Sequence, residues 1–326
     1  MPKIKQLRKF FQKLFKAKIR LIATVGLVLF FFTIPSRLIY SFPPLEPKHP
    51  PSREIDLQIP EPDLYPINVT DEAAPYFSAR SAIAVDVDSK AVIYMKNPDE
   101  KLLPASTTKM VTALVALDNY QLDQVASISS PLREGQIMEL YEGEQITVNN
   151  LLHGLLVYSG NDAAYALAEL DPNGVDGYVA KMNQKVIDLG LKETHFTNPT
   201  GLDNGNHYSS VHDLALIGAE LMSKPELAQI VQIQNEVVTD TSGEITHELT
   251  TINELLGQVE GLKGIKTGWT DAAGECLVSY TERDGHKVIT AVLGSYDRFG
   301  ETRSLIEWVF GNHEWKKVTL PKEINP

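Results

Sequence analysis

Cysteine is almost absent from this sequence. Cys276 is the only cysteine among 326 residues, so no intrachain disulfide can form. The sequence also lacks any cluster of cysteine and histidine with the spacing of a zinc site, which argues against a structural metal. Cys276 falls in a predicted strand, and we expect its side chain to be packed.

Positive charge is scarce outside the first 20 residues. Residues 1–20 contain eight Lys or Arg and no acidic residue, whereas the remaining 306 residues carry a net charge of −20. Because phosphate affinity depends on accumulated Lys and Arg, this acidic body argues against a nucleic-acid partner. Hydrophobic residues make up 43% and charged residues 22% of the chain, which excludes a wholly disordered or fibrous protein.

The basic segment is followed by an apolar stretch that is short for a membrane span. Residues 21–34 hold no charge, but this is fewer than the roughly 20 residues that cross a bilayer. Flanking residues could lengthen the span if Lys18 and Arg20 snorkel to the membrane surface. We predict a cytoplasmic segment over 1–20 and a signal-anchor or transmembrane segment over 21–40, with cleavage as a signal peptide as the alternative. The rest of the chain would then lie on the outer face of the cell membrane, or be secreted after cleavage.

Proline is concentrated in one stretch. Eight prolines fall within residues 43–66, a density that favours polyproline II and predicts a semi-rigid linker over 41–74. A C-terminal tail is predicted over 314–326.

The body of the chain alternates between strand and helix patterns. A hairpin is predicted over 81–96, a second over 275–294 with an Asp284-Gly285 turn, and a last helix over 302–310. The section between the hairpins, about 126–220, has helical periodicity, with Thr147 and Ser210 as N-caps. These patterns predict an α+β domain over 75–313, in which an antiparallel sheet built from both ends of the chain is flanked by helices and carries an inserted all-helical subdomain.

The first candidate catalytic pair is Ser106 with Lys109. Residues at i and i+3 share a helix face, and a serine hydroxyl becomes a good nucleophile when a neutral amine takes its proton. The alternative is an ordinary helix start in which Ser106 or Thr107 caps and Lys109 is solvated.

Two further triplets contain polar side chains that could take part in a catalytic or binding site. Ser159-Gly160-Asn161 lies between helical segments and could project a hydroxyl and a carboxamide into a cleft; in an ordinary loop, Gly160 would take a positive φ and Asn161 would cap a helix. Lys266-Thr267-Gly268 lies at the start of a predicted edge strand, where it could hold a carboxylate while the glycine permits a close backbone approach.

The three triplets occur in the order and approximate spacing of active-site serine penicillin-interacting enzymes. Residues 75–312 resemble the serine-type D-alanyl-D-alanine carboxypeptidases, which are low-molecular-mass penicillin-binding proteins. The resemblance extends to longer strings, namely Pro104-Ala-Ser-Thr-Thr-Lys, Ser159-Gly-Asn-Asp-Ala-Ala, His195-Phe-Thr-Asn-Pro-Thr-Gly-Leu, His207-Tyr-Ser, Gly264-Ile-Lys-Thr-Gly-Trp-Thr and Ala273-Gly-Glu-Cys-Leu. It implies a fold like that of β-lactamases and DD-peptidases.

The resemblance also implies roles for individual residues. Ser106 would be the acylated nucleophile and Lys109 its base, while Ser159 would relay a proton to the leaving amine. The substrate-binding residues would be Asn161, Lys266, Thr267, Gly268, Trp269 and Arg298. The backbone N–H groups of Ser106 and Trp269 would form the oxyanion hole.

The reaction implied is removal of the terminal D-alanine from a peptidoglycan stem peptide ending in D-Ala-D-Ala, without metal or organic cofactor. β-Lactam antibiotics would be covalent inhibitors. The alternatives are a β-lactamase or DD-endopeptidase of the same fold, and a non-catalytic membrane-tethered protein that binds penicillin or peptidoglycan. The second triplet reads Ser-Gly-Asn, whereas class A β-lactamases usually have Ser-Asp-Asn.

Overall fold

The computed structural model describes residues 2–33 and 64–317, which belong to two separate units, 1–60 and 61–326. The described part of the first unit, residues 2–33, forms one helix, α1 (Pro2–Thr33). Over the described ranges, no helix has both the length and the apolar character needed to cross a bilayer, so the predicted transmembrane helix is not supported. The end of that predicted segment, residues 34–40, and most of the predicted linker lie outside the described residues.

The second unit contains 11 strands and seven helices among its described residues. The strands are β1 (Leu64–Asn68), β2 (Ser81–Asp86), β3 (Val92–Lys96), β4 (Val125–Ser127), β5 (Gln145–Thr147), β6 (Asn235–Thr239), β7 (Thr246–Thr250), β8 (Leu262–Thr270), β9 (Gly274–Arg283), β10 (His286–Ser295) and β11 (His313–Lys317). The helices are α2 (Lys109–Asn119), α3 (Val148–Leu156), α4 (Asn161–Glu169), α5 (Gly174–Asp188), α6 (Val211–Met222), α7 (Pro225–Ile230) and α8 (Arg298–Asn312), and a 3-10 turn covers Ala105–Thr108.

A five-stranded sheet forms the centre of this unit. Its strand order is β3-β2-β10-β9-β8, and each pair of neighbours is antiparallel. Two strands come from the N-terminal hairpin and three from the C-terminal part of the chain, with the helical section between them in sequence. The predicted α+β architecture is therefore confirmed, and β8 lies at an edge of the sheet. The inserted section also contains the short β4-β5 pair, so it is mostly rather than wholly helical.

Alternating side chains of the central strands enter two different apolar cores. Ile83 and Val278 belong to the larger core, which includes α2 and α6. Their neighbours Ala84 and Leu277 belong to the smaller core, which includes Leu305 of α8. This alternation is what a strand covered on both faces requires, because successive side chains point to opposite sides.

Local signals in the sequence are borne out at several element ends. The hydroxyl of Thr147 accepts a hydrogen bond from the backbone N–H of Asn150, and that of Ser210 accepts one from Asp213. The Asp284-Gly285 turn joins β9 to β10 with positive φ at both residues, 51° and 81°, as a tight hairpin turn requires. Helix α8 starts earlier than the predicted 302, because the side chain of Asp297 accepts a hydrogen bond from Gly300 and caps it.

A further hairpin and a terminal strand pair were not predicted from the sequence. The hairpin consists of β6 and β7. Strand β1, inside the range predicted as linker, pairs with β11, which occupies the start of the predicted tail. Pro66 is compatible with β1 because this strand pairs on one side only, in a two-stranded sheet.

Candidate active site

The hydroxyl of Ser106 lies beside the amine of Lys109 at the start of α2. Ser106 is part of the 3-10 turn, and Lys109 is the first residue of the α-helix that follows. The Lys109 Nζ lies 2.8 Å from the Ser106 Oγ. Ser106 is partly exposed, whereas Lys109 is completely buried. The structure therefore brings the two groups that the spacing suggested within hydrogen-bond distance, and Lys109 is not solvated.

The surroundings of Lys109 favour its neutral form. Burial, and secondly the charge of Lys266, lower the pKa of Lys109 well below its ordinary value, against an opposing effect of Asp162. The amine also hydrogen-bonds to the Asn161 Oδ1 at 2.7 Å and to the carbonyl oxygen of Thr200 at 3.0 Å. The hydrogen bonds fix the direction of the amine toward Ser106. Burial and the charge of Lys266 make this lysine lose its proton more readily than a solvated one.

Ser159 and Lys266 form a second contact between a serine and a lysine. The Lys266 Nζ lies 2.9 Å from the Ser159 Oγ, and both residues are almost fully buried. Burial, with a contribution from the charge of Arg298, lowers the pKa of Lys266 to about 7. Near neutral pH this lysine can thus exist with or without its proton, which suits a group that assists proton transfer through Ser159.

Two residues of the site have backbone conformations that are unusual for their residue types. The residue before the nucleophile, Ala105, has φ of 47°, and Ser159 has φ of 68°. Gly160, where a positive φ would be cheap, has φ of −58°. Such conformations cost about 1–3 kcal/mol each and occur preferentially at functional sites. The break between α3 and α4 therefore directs the serine itself into the cleft.

Asn161 is bound at both ends of its side-chain amide. Its Oδ1 accepts the hydrogen bond from Lys109, and its Nδ2 donates to the carbonyl oxygen of Glu134 at 2.9 Å. The backbone N–H of Asn161 donates to the carbonyl oxygen of Gln136 at 2.7 Å. In this structure Asn161 thus connects Lys109 with residues 134–136, and its contact with substrate stays a prediction.

The third triplet forms the part of edge strand β8 that faces the nucleophile. A Cβ atom on Gly268 would lie 2.9 Å from the backbone nitrogen of Ser106 and 3.0 Å from the Cβ of Ala105. The glycine is therefore needed for the approach of the nucleophile's own turn, and not only for substrate as the sequence suggested. Thr267 is buried and borders the cleft, and none of the residues that the structure describes hydrogen-bonds to its hydroxyl. An unpaired hydroxyl at this place is available to a ligand.

Arg298 reaches the same strand from the N-terminus of α8. Its Nη1 donates to the carbonyl oxygen of Gly268 at 2.9 Å, and its backbone N–H donates to the Glu275 Oε2 at 2.7 Å. Arg298 and Trp269 both border the cleft, and Trp269 is 57% exposed. Arg298 therefore brings positive charge to the cleft, and its contact with a substrate carboxylate stays a prediction.

A cleft of about 590 Å³ unites the predicted residues. Seven of the nine border it, namely Ser106, Ser159, Asn161, Thr267, Gly268, Trp269 and Arg298. The two lysines lie behind this wall and reach it through their hydrogen bonds to Ser106 and Ser159. In the part of the chain that the structure describes, no group of three or more His, Cys, Asp or Glu could hold a metal ion.

Several supporting residues were not identified as part of the site from the sequence. Thr200 lies in the string 195–202 that carries the family resemblance, but its contact uses a backbone carbonyl, which has no side-chain signature. The buried imidazole of His207 lies 2.8 Å from the Thr108 hydroxyl, next to Lys109 in the chain. Burial first, and then the charge of His195, lower the pKa of His207 to about 4.

Comparison with known proteins agrees with this geometry. A family model described as D-alanyl-D-alanine carboxypeptidase matches residues 68–297. The D-alanyl-D-alanine carboxypeptidase DacF of Bacillus subtilis is 33% identical, over 72% of this chain and 63% of its own length. DacB2 of Mycobacterium tuberculosis, with the same description, is 35% identical over 71% of this chain and 82% of its own length.

Solved structures show the same likeness. A D-alanyl-D-alanine carboxypeptidase from Mycobacterium tuberculosis superimposes with a TM-score of 0.70 and 32% identity, covering 78% of this chain and 99% of that one. A Streptomyces DD-transpeptidase gives a TM-score of 0.69 and 30% identity, covering 74% of this chain and 100% of that one. On the family match, these identities and the serine-lysine geometry of the cleft, the chain belongs to the D-alanyl-D-alanine carboxypeptidase family.

Proposed function

We propose that this protein is a serine DD-carboxypeptidase that removes the terminal D-alanine from peptidoglycan stem peptides through an acyl-enzyme. The observation that carries this proposal is the buried amine of Lys109, 2.8 Å from the hydroxyl of Ser106 in an open cleft. The family to which the chain belongs supplies the substrate class.

Acylation begins with the transfer of the Ser106 hydroxyl proton to the neutral amine of Lys109. The Oγ then attacks the carbonyl carbon of the penultimate D-alanine, and the carbonyl oxygen becomes negatively charged. When the peptide bond breaks, the amine of the terminal D-alanine leaves and takes up, by way of Ser159, the proton that Lys109 accepted, so Lys109 is neutral again. A general base typically contributes about 10²–10⁴-fold to such a step.

The terminal carboxylate of the substrate orients the peptide along β8. The unpaired hydroxyl of Thr267 and the guanidinium of Arg298 are the groups that can receive it. The charge of Lys266 behind them adds to the attraction while this lysine is protonated. A substrate held in this way brings its last peptide bond to Ser106, since Gly268 keeps the strand close to the nucleophile's turn.

Water then hydrolyses the ester that links the peptide to Ser106. Addition of water to the ester carbonyl and release of the serine oxygen return the enzyme to its starting form. The released peptide ends in a single D-alanine.

The proposal is tested by incubating the protein with a peptide ending in D-Ala-D-Ala and measuring free D-alanine. Wild-type protein is expected to release it, whereas Ser106→Ala and a peptide ending in L-Ala are expected to give no release above background. Absence of release by the wild type, with binding of the peptide retained, would instead support a non-catalytic binding protein.

Two related activities are separated by their products. A β-lactamase would release hydrolysed penicillin rapidly, whereas a carboxypeptidase is expected to keep a long-lived penicilloyl adduct. An endopeptidase would cut a crosslinked peptide dimer faster than the uncrosslinked peptide. One related protein of Escherichia coli, 29% identical over 74% of this chain, is named a D-alanyl-D-alanine endopeptidase. The assay therefore includes a crosslinked peptide dimer as a second substrate.

We also propose that the catalytic unit acts outside the cytoplasmic membrane, where its wall substrate would lie. The support is the order of a basic segment at 1–20 and an apolar stretch at 21–34, which is the order of an export signal. Protease added to intact spheroplasts is expected to digest the catalytic unit while a cytoplasmic marker stays intact. If the catalytic unit were protected from the protease as well as the cytoplasmic marker, this location would be refuted.

A further inference from the structure

A buried ion pair lies away from the predicted residues. His247 on β7 and Glu144 just before β5 have side chains that are 2% and 0% exposed. The His247 Nε2 lies 2.8 Å from the Glu144 Oε1, and the His247 Nδ1 lies 2.9 Å from the carbonyl oxygen of Met138. The second carboxylate oxygen of Glu144 accepts the backbone N–H of Tyr141 at 2.9 Å.

These contacts define the protonation of the pair. A carbonyl oxygen can only accept, so the Nδ1 of His247 carries a hydrogen, and the Nε2 faces a carboxylate. Burial opposes the charged imidazole, but hydrogen bonding to Glu144, its charge, the carbonyl of Met138 and the charge of Asp162 together raise the pKa of His247. The imidazolium therefore donates two hydrogen bonds to one segment of chain, residues 134–144, which we name the cleft loop.

The other end of the cleft loop contacts Asn161. The carbonyl oxygens of Glu134 and Gln136 accept hydrogen bonds from the side chain and the backbone N–H of Asn161. Between the two ends, the carboxylate of Asp162 accepts the backbone N–H groups of Met138 at 2.9 Å and Leu140 at 3.1 Å. A continuous set of contacts thus runs from His247 through the loop to Asn161, and from Asn161 to Lys109.

A gain in folding stability does not by itself explain why a buried ion pair is present here. Moving two charges out of water is unfavourable, and well-packed apolar residues often stabilise a fold equally well. A buried charged pair does fix the orientation of both side chains, because each partner must keep its hydrogen bonds. We propose that His247 and Glu144 are positioning residues, which clamp the cleft loop so that Asn161 is held against Lys109. The inference deepens the proposed function, since it concerns the base of that same reaction.

The chain offers a matched control on the same hairpin. The His153 Nδ1 lies 2.6 Å from the Glu236 Oε1, a partly buried contact that joins α3 to β6. This second histidine-carboxylate pair also fastens the β6-β7 hairpin, but it does so through α3 and not through the cleft loop. His153→Gln therefore loosens the hairpin while leaving the clamp in place.

The first experiment compares the rate at which a fluorescent penicillin acylates full-length variants. His247→Gln keeps a donor near the Nε2 position but loses the contact to Met138, and Glu144→Gln keeps the shape of its side chain but loses the charge. Misplacement of a catalytic group by about 1 Å can cost about 100-fold in rate, so we expect a loss of at least about tenfold in each variant. We expect His153→Gln to stay within about threefold of the wild type on the same scale.

The second experiment asks whether the effect passes through Asn161. If it does, His247→Gln lowers the acylation rate of the wild type but changes little in an Asn161→Ala background, since contacts in one network are not additive. Amide hydrogen exchange of residues 134–140 is expected to rise in His247→Gln and to stay unchanged in His153→Gln. A merely destabilising substitution would give additive losses and no exchange change confined to the loop.

Several results of these two experiments would contradict the proposal. Unchanged acylation in a folded His247→Gln or Glu144→Gln, an equal loss in His153→Gln, or additive losses with Asn161→Ala would overturn the clamp. If His247→Gln does not fold, Glu144→Gln decides by the same criteria. Wild-type protein that is acylated by penicillin but releases no D-alanine would refute the proposed function while leaving the clamp open to the same test.

Discussion

The amine of Lys109 and the hydroxyl of Ser106 lie 2.8 Å apart at the first turn of α2, with the lysine buried and the serine at the surface of the cleft. This arrangement separates the two requirements of the reaction. Burial keeps the base ready to lose its proton, while the partial exposure of the serine allows a substrate carbonyl to approach.

Replacement of the base is expected to stop acylation. Lys109→Gln can still hydrogen-bond to Asn161 or Thr200 but cannot accept the hydroxyl proton. We expect the rate of penicillin acylation to fall by about 10²–10⁴-fold, the usual contribution of a general base. Stopped-flow measurement of a fluorescent penicillin checks this, with circular dichroism to show that the variant is folded. A rate close to that of the wild type would rule out Lys109 as the base.

The acylation rate is expected to rise with pH on the acidic side, because Lys109 acts only after losing its proton. The charge of Lys266 is the second cause that lowers the pKa of Lys109, after burial. Lys266→Met removes that charge, so the pKa of Lys109 rises and the acidic limb of the profile moves to higher pH. Lys263→Met, which removes a partly exposed lysine paired with Glu282, is the control and should leave the limb in place. A shift to lower pH in Lys266→Met would contradict the electrostatic account.

Stability is expected to fall on acidification because of His207. In the unfolded chain its imidazole takes up a proton near its ordinary pKa of 6.5, whereas in the folded protein burial lowers the pKa of His207 to about 4. Proton uptake therefore favours unfolding between these values, and stability is full above pH 6.5 and lost as the pH falls toward 4. The loss is at most about 3 kcal/mol.

Urea unfolding of wild type and His207→Gln at pH 7 and pH 4.5 measures this effect. The free energy of unfolding is expected to fall less in the variant, because glutamine does not titrate. His212→Gln, at a more exposed histidine, should behave as the wild type. Equal losses in wild type and His207→Gln would show that other groups account for the acid sensitivity.

Gly268 offers a test of the contact between β8 and the nucleophile. An alanine here would place its Cβ 2.9 Å from the backbone nitrogen of Ser106, so the turn that carries the hydroxyl must shift. We expect Gly268→Ala to lower the acylation rate by about tenfold or more. Gly311→Ala, in α8 with open space around its Cβ position, is expected to leave the rate unchanged. Full activity of Gly268→Ala would mean that the close approach is unnecessary.

Much of the site could be predicted because its signals are local. Ser106 and Lys109 are three residues apart, and the Ser159 and Lys266 triplets are recognisable as short strings. The caps at Thr147 and Ser210 follow equally from neighbouring residues. These local patterns do not show which triplets meet in the folded protein. The hydrogen bond between Lys266 and Ser159, which are 107 residues apart in the chain, is an example.

The contacts that support the site are harder to predict for physical reasons. The cleft loop is held largely through backbone N–H and carbonyl groups, which every residue type provides. The pair of His247 and Glu144 joins positions 103 residues apart, and His247 lies in a hairpin that was not predicted. Strand β1 was missed because Pro66 and its proline-rich neighbours indicated a linker, whereas pairing on one side only tolerates a proline.

The proposed reaction requires Ser106 to be the acylated nucleophile. This is tested by intact-mass measurement and peptide mapping after brief exposure of the full-length protein to penicillin. We expect one penicilloyl group on the peptide that contains Ser106 in the wild type and none in Ser106→Ala. An adduct on a different residue, or an adduct that persists in Ser106→Ala, would contradict it.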